Sequence, residues 1–285
     1  MKHYVSVLLL CLFIAVNAQE RYGGLALYTV RDDMGKDPIE TLKKVQETGY
    51  AYVEAAGYDK GMYYGMSPKE FKKTLKSMDL VPISTHQSSI TLENADEQFA
   101  AAQEAEFKYF VVPVPPMGMF TFNRESRTMG MKGSIEDLAS ILNELGEKAS
   151  TYDLQLLYHN HDFEFKPNDD GVVPIDYLLE NVNAEHVNFQ MDLFWVTKAG
   201  ADPLSYFEKY PNRFKLWHVK DMGENGLFAP VGEGTIDFQR ILAKKEQSGM
   251  EHYFVEQDMT FDKKPLEVIK ISHEALKEIG FQSMD

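Results

Sequence analysis

Four short stretches of this chain run from apolar residues into groups that do acid–base or metal chemistry. Leu154-Gln-Leu-Leu-Tyr-His-Asn-His-Asp-Phe-Glu-Phe165 ends in His159, Asn160, His161, Asp162 and Glu164. Asn188-Phe-Gln-Met-Asp-Leu-Phe-Trp195 carries Asp192, and Phe214-Lys-Leu-Trp-His-Val-Lys-Asp221 carries His218, Lys220 and Asp221. His252-Tyr-Phe-Val-Glu-Gln-Asp258 carries Glu256 and Asp258. Read as strands, whose side chains alternate faces, they put His159 with His161, Gln190 with Asp192, His218 with Lys220, and Glu256 with Asp258. Carboxylates and neutral imidazoles of this kind suit one hard or borderline divalent ion, Mn²⁺, Mg²⁺, Co²⁺ or Zn²⁺. The expected ligands are His159, Asp192, His218 and Glu256, one from each stretch, with open positions left for substrate oxygens. Such an ion would polarise a carbonyl while a neighbouring base takes the proton from the adjacent carbon. Glu256, Lys220 and His161 are the candidate catalytic groups. Trp195 is a candidate stacking surface for a sugar, and Asn160 and Asp221, at the polar strand ends, are further substrate-binding candidates. Any one of these residues alone reads equally well as a structural group; their recurrence on four consecutive strands argues for a site.

Such groups must be delivered by a repeating scaffold, and the chain alternates short apolar strands with amphipathic helices. Strands are expected at Gly24 to Val30, Tyr50 to Ala55 with Glu54, Leu80 to His86 with His86, and Phe107 to Val114, ahead of the four above. Asp37-Pro-Ile-Glu40 and Ser67-Pro-Lys-Glu70 read as helix starts with a capping residue, a first-turn Pro and a Glu three residues on. Ile39, Leu42 and Val45 form the apolar stripe of the first of these helices, and Ile135, Leu138, Ile141, Leu142 and Leu145 that of a later one. Pro115 to Gly133 has no clear period and reads as a lid over the strand ends. About eight strand–helix units predict an α/β fold, a single-domain (β/α)8 barrel, with the active site at the C-terminal ends of the strands. Glu54 and His86 then join that end as substrate-binding candidates. An open doubly wound sheet would more often carry a Gly-rich phosphate turn after its first strand. Arg31 to Lys36, read here as a turn, has a single Gly.

The first 18 residues read as an export signal: Lys2, an apolar run from Val5 to Val16, and Val16-Asn-Ala18 as a cleavage site. The domain then spans 19–285, in an exported, periplasmic or secreted protein with no membrane contact after cleavage. Cys11 is the one cysteine, so the mature chain has no disulfide and no thiol ligand or nucleophile. The formal charge of −15 argues against a nucleic-acid partner. The expected partner is a small sugar or keto-sugar, and a homodimer is left open.

Tyr158-His-Asn-His161, Asp192-Leu-Phe-Trp195, His218-Val-Lys-Asp221, Val231-Gly-Glu-Gly-Thr-Ile-Asp-Phe238 and Val255-Glu-Gln-Asp258, in this order and spacing, resemble the xylose isomerase-like superfamily of sugar isomerases and epimerases. The resemblance implies metal ligands at the ends of strands five to eight, at positions matched by His159, Asp192, His218 and Glu256. It implies proton transfer by paired Glu residues, of which only Glu256 is present, because His159 stands at the strand-five position. The sequence also resembles inosose dehydratases of the same superfamily. The reading is therefore a metal-dependent isomerase or epimerase of an unphosphorylated sugar. A lyase or dehydratase acting on a keto-sugar, keto-inositol or 3-keto-glycoside is the alternative, and a non-catalytic sugar-binding protein comes third. The superfamily's abasic-DNA endonucleases carry a His where this chain has Trp195.

Overall fold

In the computed structural model, which describes residues 21–281, eight parallel strands close into a barrel. They are β1 Gly24–Ala26, β2 Tyr52–Ala55, β3 Val81–His86, β4 Tyr109–Val112, β5 Gln155–His159, β6 Val187–Asp192, β7 Phe214–Val219 and β8 His252–Val255. Each pairs with its neighbours in sequence, and β1 closes the ring against β8, with Gly24 opposite Phe254. Helices follow the strands, so the architecture is the expected (β/α)8 barrel. The expected export signal, 1–18, lies outside the described residues. Among the described residues no helix is long and apolar enough to cross a membrane.

Local chemistry sets the helix starts. Asp37 caps the helix Pro38–Thr48 by accepting from the Glu40 N–H, and Ser67 and Glu70 form a reciprocal capping box on Pro68–Ser77. These bonds satisfy N–H groups that a helix start leaves without partners. The first helix ends at Gly49, whose φ of 111° is open to glycine but costly for other residues.

Alternation along the strands creates two separate interiors. One face packs against the helices in the larger core. The other fills the barrel with Ala26, Tyr52, Ile83, Tyr109, Val111, Leu157, Leu216 and Phe254. Two residues further along β2, β5, β7 and β8, the same inward face carries Glu54, His159, His218 and Glu256. The apolar plug is thus the floor of the polar cluster.

Three expectations change. The first strand stops at Ala26; Leu27–Val30 is a 3-10 turn, and Arg31–Lys36 is helical rather than a turn. Asp32 and Asp33 at the start of that helix and Lys36 at its end suit its dipole. Ile39 is half exposed, and Thr41 is buried beside Leu42 and Val45 in its place. The segment 115–133, expected to lack a period, contains an antiparallel ribbon, Phe120–Asn123 with Thr128–Met131. Phe120 pairs with Met131 and Phe122 with Met129, a period of two carried by Phe and Met.

Gly24 leaves room for the plug. A methyl group there would overlap the Tyr52 ring and come 2.6 Å from Phe254. Tyr52 has little freedom to yield, since its hydroxyl accepts from the Tyr253 N–H at 3.3 Å. Gly24→Ala should therefore destabilise the barrel by about 1–3 kcal/mol, the usual cost of overpacking, seen as a lower urea midpoint. An unchanged midpoint would contradict this packing.

Candidate active site

Strand register brings the chemistry together. His159 on β5 lies opposite Gln190 on β6, and Asp192 on β6 lies opposite His218 on β7. The ladders shift register at Val53/Glu54 and at Phe189/Gln190. Such irregularities re-aim side chains and are common beside active sites. Asp192 also caps the helix Leu193–Lys198: its Oδ1 accepts from the Trp195 N–H at 2.9 Å. One carboxylate oxygen is thereby fixed and the other, Oδ2, faces the cluster. Asn160 holds the same residue from outside, accepting the Asp192 N–H at 3.0 Å.

His218 is the hub. Its Nδ1 lies 2.9 Å from Glu256 Oε2 and its Nε2 lies 2.7 Å from Glu54 Oε1. Glu54 Oε2 accepts from Ser84 Oγ at 2.7 Å and Gln190 Nε2 at 2.8 Å. Gln190 Oε1 faces His159 Nδ1 at 2.8 Å and His86 Nε2 at 3.1 Å. The Lys220 ammonium lies 2.7 Å from Glu256 Oε2, 2.8 Å from Asp258 Oδ1 and 2.9 Å from Asp192 Oδ2. All of these groups except His86 and Asp258 are buried.

Burial and neighbouring charge compete for each protonation state. Burial opposes charge on His218, but Glu256 and Glu54 outweigh it and lift the imidazole to about 10. Burial likewise opposes the Lys220 charge, and Asp192, Asp258 and Glu256 more than restore it. Burial pushes Glu256 up, yet Lys220 and His218 hold it well below the usual carboxylate range. Burial, helped by the neighbouring cations, drives His159 well down and His161 to about 3, with Glu256 opposing the second only in part. His86 is also lowered by burial. The cluster thus sets two cations, His218 and Lys220, against Glu54 and Glu256, both held below the usual carboxylate range, while burial raises Asp192 and Asp258 and three imidazoles stand neutral beside them.

The structure brings together three of the four expected ligands. Ligand atoms of Asp192, His218 and Glu256 all lie within 4.8 Å of one another. His159 groups instead with His86 and His218, and its Nε2 is 3.8 Å from Asp192 Oδ2. The three-residue set fits a divalent ion by two observations. Its donors are two carboxylates and an imidazole. In addition, Asp192 Oδ2 is buried and lies 2.9 Å from the Lys220 ammonium, a place already built for a cation.

The remaining expected residues divide by what holds them. His161 Nδ1 and Trp195 Nε1 are buried without partners among the described residues, with ring centres 5.4 Å apart. Asn160 and Asp221 are committed to backbone. Asp221 accepts from the N–H groups of Met222, Gly232, Gly234 and Ile236. A methyl group on Gly234 would overlap that carboxylate, and one on Gly232, whose φ is +89°, would come 2.6 Å from Ala275 Cβ, which explains the two glycines of Val231-Gly-Glu-Gly234. Sequence reasoning put Gln190 and Asp258 on the faces of Asp192 and Glu256 but gave them no role, and it did not single out Ser84, two residues before His86, or Phe228. Phe228, whose ring centre is 5.7 Å from Lys220 Nζ, lies in a short ribbon with no periodic signal.

The profile of the xylose isomerase-like TIM barrel family matches residues 42–279. An inosose dehydratase of Lacticaseibacillus casei is 28% identical over 138 residues, 42% of this chain and 45% of that protein. The chain thus spans about half the length of the curated relatives it matches. A sugar phosphate isomerase/epimerase of Parabacteroides distasonis superposes with a TM-score of 0.73 at 25% identity, over 94% of this chain and 96% of that one. The IOLI protein with a bound zinc atom superposes with a TM-score of 0.68 over 92% of this chain and 100% of that one. Its identity is 15%, so that likeness concerns the fold alone.

Glu164 braces the strand-five end and carries a pH signature. Its oxygens accept from Tyr158 OH and the His161 N–H, each at 2.8 Å. Burial nevertheless pushes its carboxyl up to about 8. The folded protein therefore keeps a proton that the unfolded chain releases. That stabilisation is complete below the ordinary carboxylate range and is lost as the pH rises through about 8. Glu164→Gln keeps the shape and removes the titration. The stability advantage of the wild type over the variant should fall by about 1.4 kcal/mol per pH unit within that window, measured by urea unfolding across it. A difference independent of pH would contradict this.

Proposed function

The chain belongs to the xylose isomerase-like TIM barrel family, and on that premise we propose that it is a divalent-metal-dependent enzyme acting on a neutral keto-sugar. The reaction begins with proton removal from the carbon beside the carbonyl and ends, on the reading favoured here, in loss of an oxygen substituent. The observation that carries this is the buried meeting of Asp192, His218 and Glu256 with Lys220 in contact with both carboxylates. Asp192, His218 and Glu256 would hold the ion, which when bound supplies a Lewis acid beside the carbonyl. Glu54 orients the His218 ring through Nε2, as outer-shell carboxylates commonly do. Glu256, held ionised, takes the proton. The electron pair of that C–H bond forms the enolate, whose oxygen Lys220 stabilises by donating a hydrogen bond. The enolate then collapses: the carbonyl re-forms, the enolate's double-bond pair moves to join the adjacent carbon to the next one, the carbon–oxygen bond there breaks with its electron pair leaving on the oxygen, and Lys220 protonates that departing oxygen. His161 and Trp195, with unpartnered Nδ1 and Nε1, are placed to bind sugar hydroxyls. Residues 1–18 support export, and an unphosphorylated substrate follows from it.

An isomerase or epimerase is the second reading, supported by the Parabacteroides distasonis neighbour. It must return the proton to another carbon or to the other face, which calls for a second base. Glu54, the other carboxylate on His218, has Oε1 on His218 and Oε2 on Ser84 and Gln190. His159 stands where the resemblance calls for a Glu. One free base with one adjacent acid suits elimination, the chemistry that the name of the inosose dehydratases describes.

Purified protein should take up close to one Mn²⁺, Co²⁺ or Zn²⁺ per chain, and His218→Ala should lose it while remaining folded by circular dichroism. Refusal of all three ions by the wild type would overturn the metal reading. In D₂O, a keto-sugar substrate should gain deuterium beside the carbonyl, and Glu256→Gln should slow turnover by roughly 10² to 10⁴, the weight of a general base. An unsaturated ketone or a released alcohol marks the lyase, and an isomer of equal mass marks the second reading. Full activity in Glu256→Gln would rule out both.

A further inference from the structure

Beside the buried cluster lies a cleft that the chemistry above does not use. It sits between the loop that follows β8 and the segment from Gly223 to Glu233, and its volume is about 510 Å³, within the usual range for small-ligand sites. Asn225, Phe228, Glu233, Gln257, Phe261 and Lys263 are among its walls. We propose that this cleft is a second sugar subsite, holding a neutral pyranose ring joined to the reacting sugar, so that the substrate is a glycoside or disaccharide. This rests on the keto-sugar reading of the barrel mouth.

The cleft and the cluster share a wall. The Phe228 ring lines the cleft, and its centre lies 5.7 Å from Lys220 Nζ and 5.7 Å from the Trp195 ring. Gln257 is the second link. It stands between Glu256 and Asp258, on the opposite face of the chain by strand alternation. Its side chain is 3% exposed. Nε2 donates to the Met259 carbonyl at 2.9 Å, while Oε1 is buried with no partner among the described residues. A buried acceptor left unpaired is costly, and native structures seldom keep one without a use. A hydroxyl from a ligand would satisfy it.

The other walls narrow the ligand class. Phe261 is 54% exposed and faces the same space as Phe228. Two flat apolar surfaces match the C–H faces of a sugar ring. Glu224, Glu233 and Asp262 supply acceptors for hydroxyls, and the one cation lining the cleft among the described residues, Lys263, is paired with Glu233 at 3.0 Å. That balance repels phosphate and carboxylate groups. A neutral ring rich in hydroxyls is what remains. On the elimination reading this second ring is the departing alcohol.

Calorimetry with glucose, maltose, cellobiose and trehalose tests the assignment. At least one disaccharide should bind roughly tenfold tighter than glucose. Phe261→Ala, at an exposed position that the fold does not need, should abolish that advantage and leave glucose affinity unchanged; Gln257→Leu should do the same. The proposal is overturned if no disaccharide outbinds glucose, or if the preference survives both substitutions. Metal uptake and Glu256-dependent proton exchange, measured on the same samples, report separately on the barrel mouth.

Discussion

The ammonium of Lys220 is buried among Asp192, Glu256 and the partly exposed Asp258. Without a cation there, three carboxylates would face one another with little solvent to screen them, and each desolvated charge costs several kcal/mol. His218 does the same between Glu54 and Glu256. Together these two cations make the concentration of acid at the barrel mouth tolerable. Such a cluster is a poor way to gain stability, because well-packed apolar residues would serve as well or better. Strongly perturbed ionisable groups gathered in one place are instead characteristic of functional sites.

The rest of the barrel keeps this arrangement fixed. The plug of Tyr52, Tyr109, Leu157, Leu216 and Phe254 closes the space beneath it. Asp192 is immobilised by its own helix cap and by Asn160, and Glu54 is held by three donors around it. Asp221 gathers the loop from Gly232 to Ile236 by four backbone hydrogen bonds, and that loop follows the ribbon bearing Phe228. The ionised and neutral groups are thus oriented before any ligand arrives, which is the condition for electrostatic stabilisation of a developing charge.

Much of this was legible because a strand's side chains repeat every two residues. That period placed His218 with Lys220 and Glu256 with Asp258 on shared faces, and the recurrence of such ends implied the barrel. Contacts across the barrel were not legible. Glu54 on β2 meets His218 on β7, and no local pattern encodes that pairing; the closure of the ring creates it. For the same reason His159, matched by resemblance to a ligand position, was not seen to face Gln190 and His86. Asn160 and Asp221 looked like substrate contacts because polar residues at strand ends look alike until their backbone partners are known. The ribbon at 120–131 escaped notice because its alternation runs through Phe and Met around an Asn-Arg-Glu-Ser turn, a composition that reads as irregular.

The account turns on where a cation sits at the mouth of the barrel. Crystals of the protein soaked in Mn²⁺ and measured for anomalous scattering address it directly. The account predicts one strong peak within coordination distance of Asp192, His218 and Glu256, with the Lys220 ammonium moved off at least one of the two carboxylates it now contacts there. A peak among His86, His159 and His218 instead, or no peak with Lys220 still bridging Asp192 and Glu256, would contradict it.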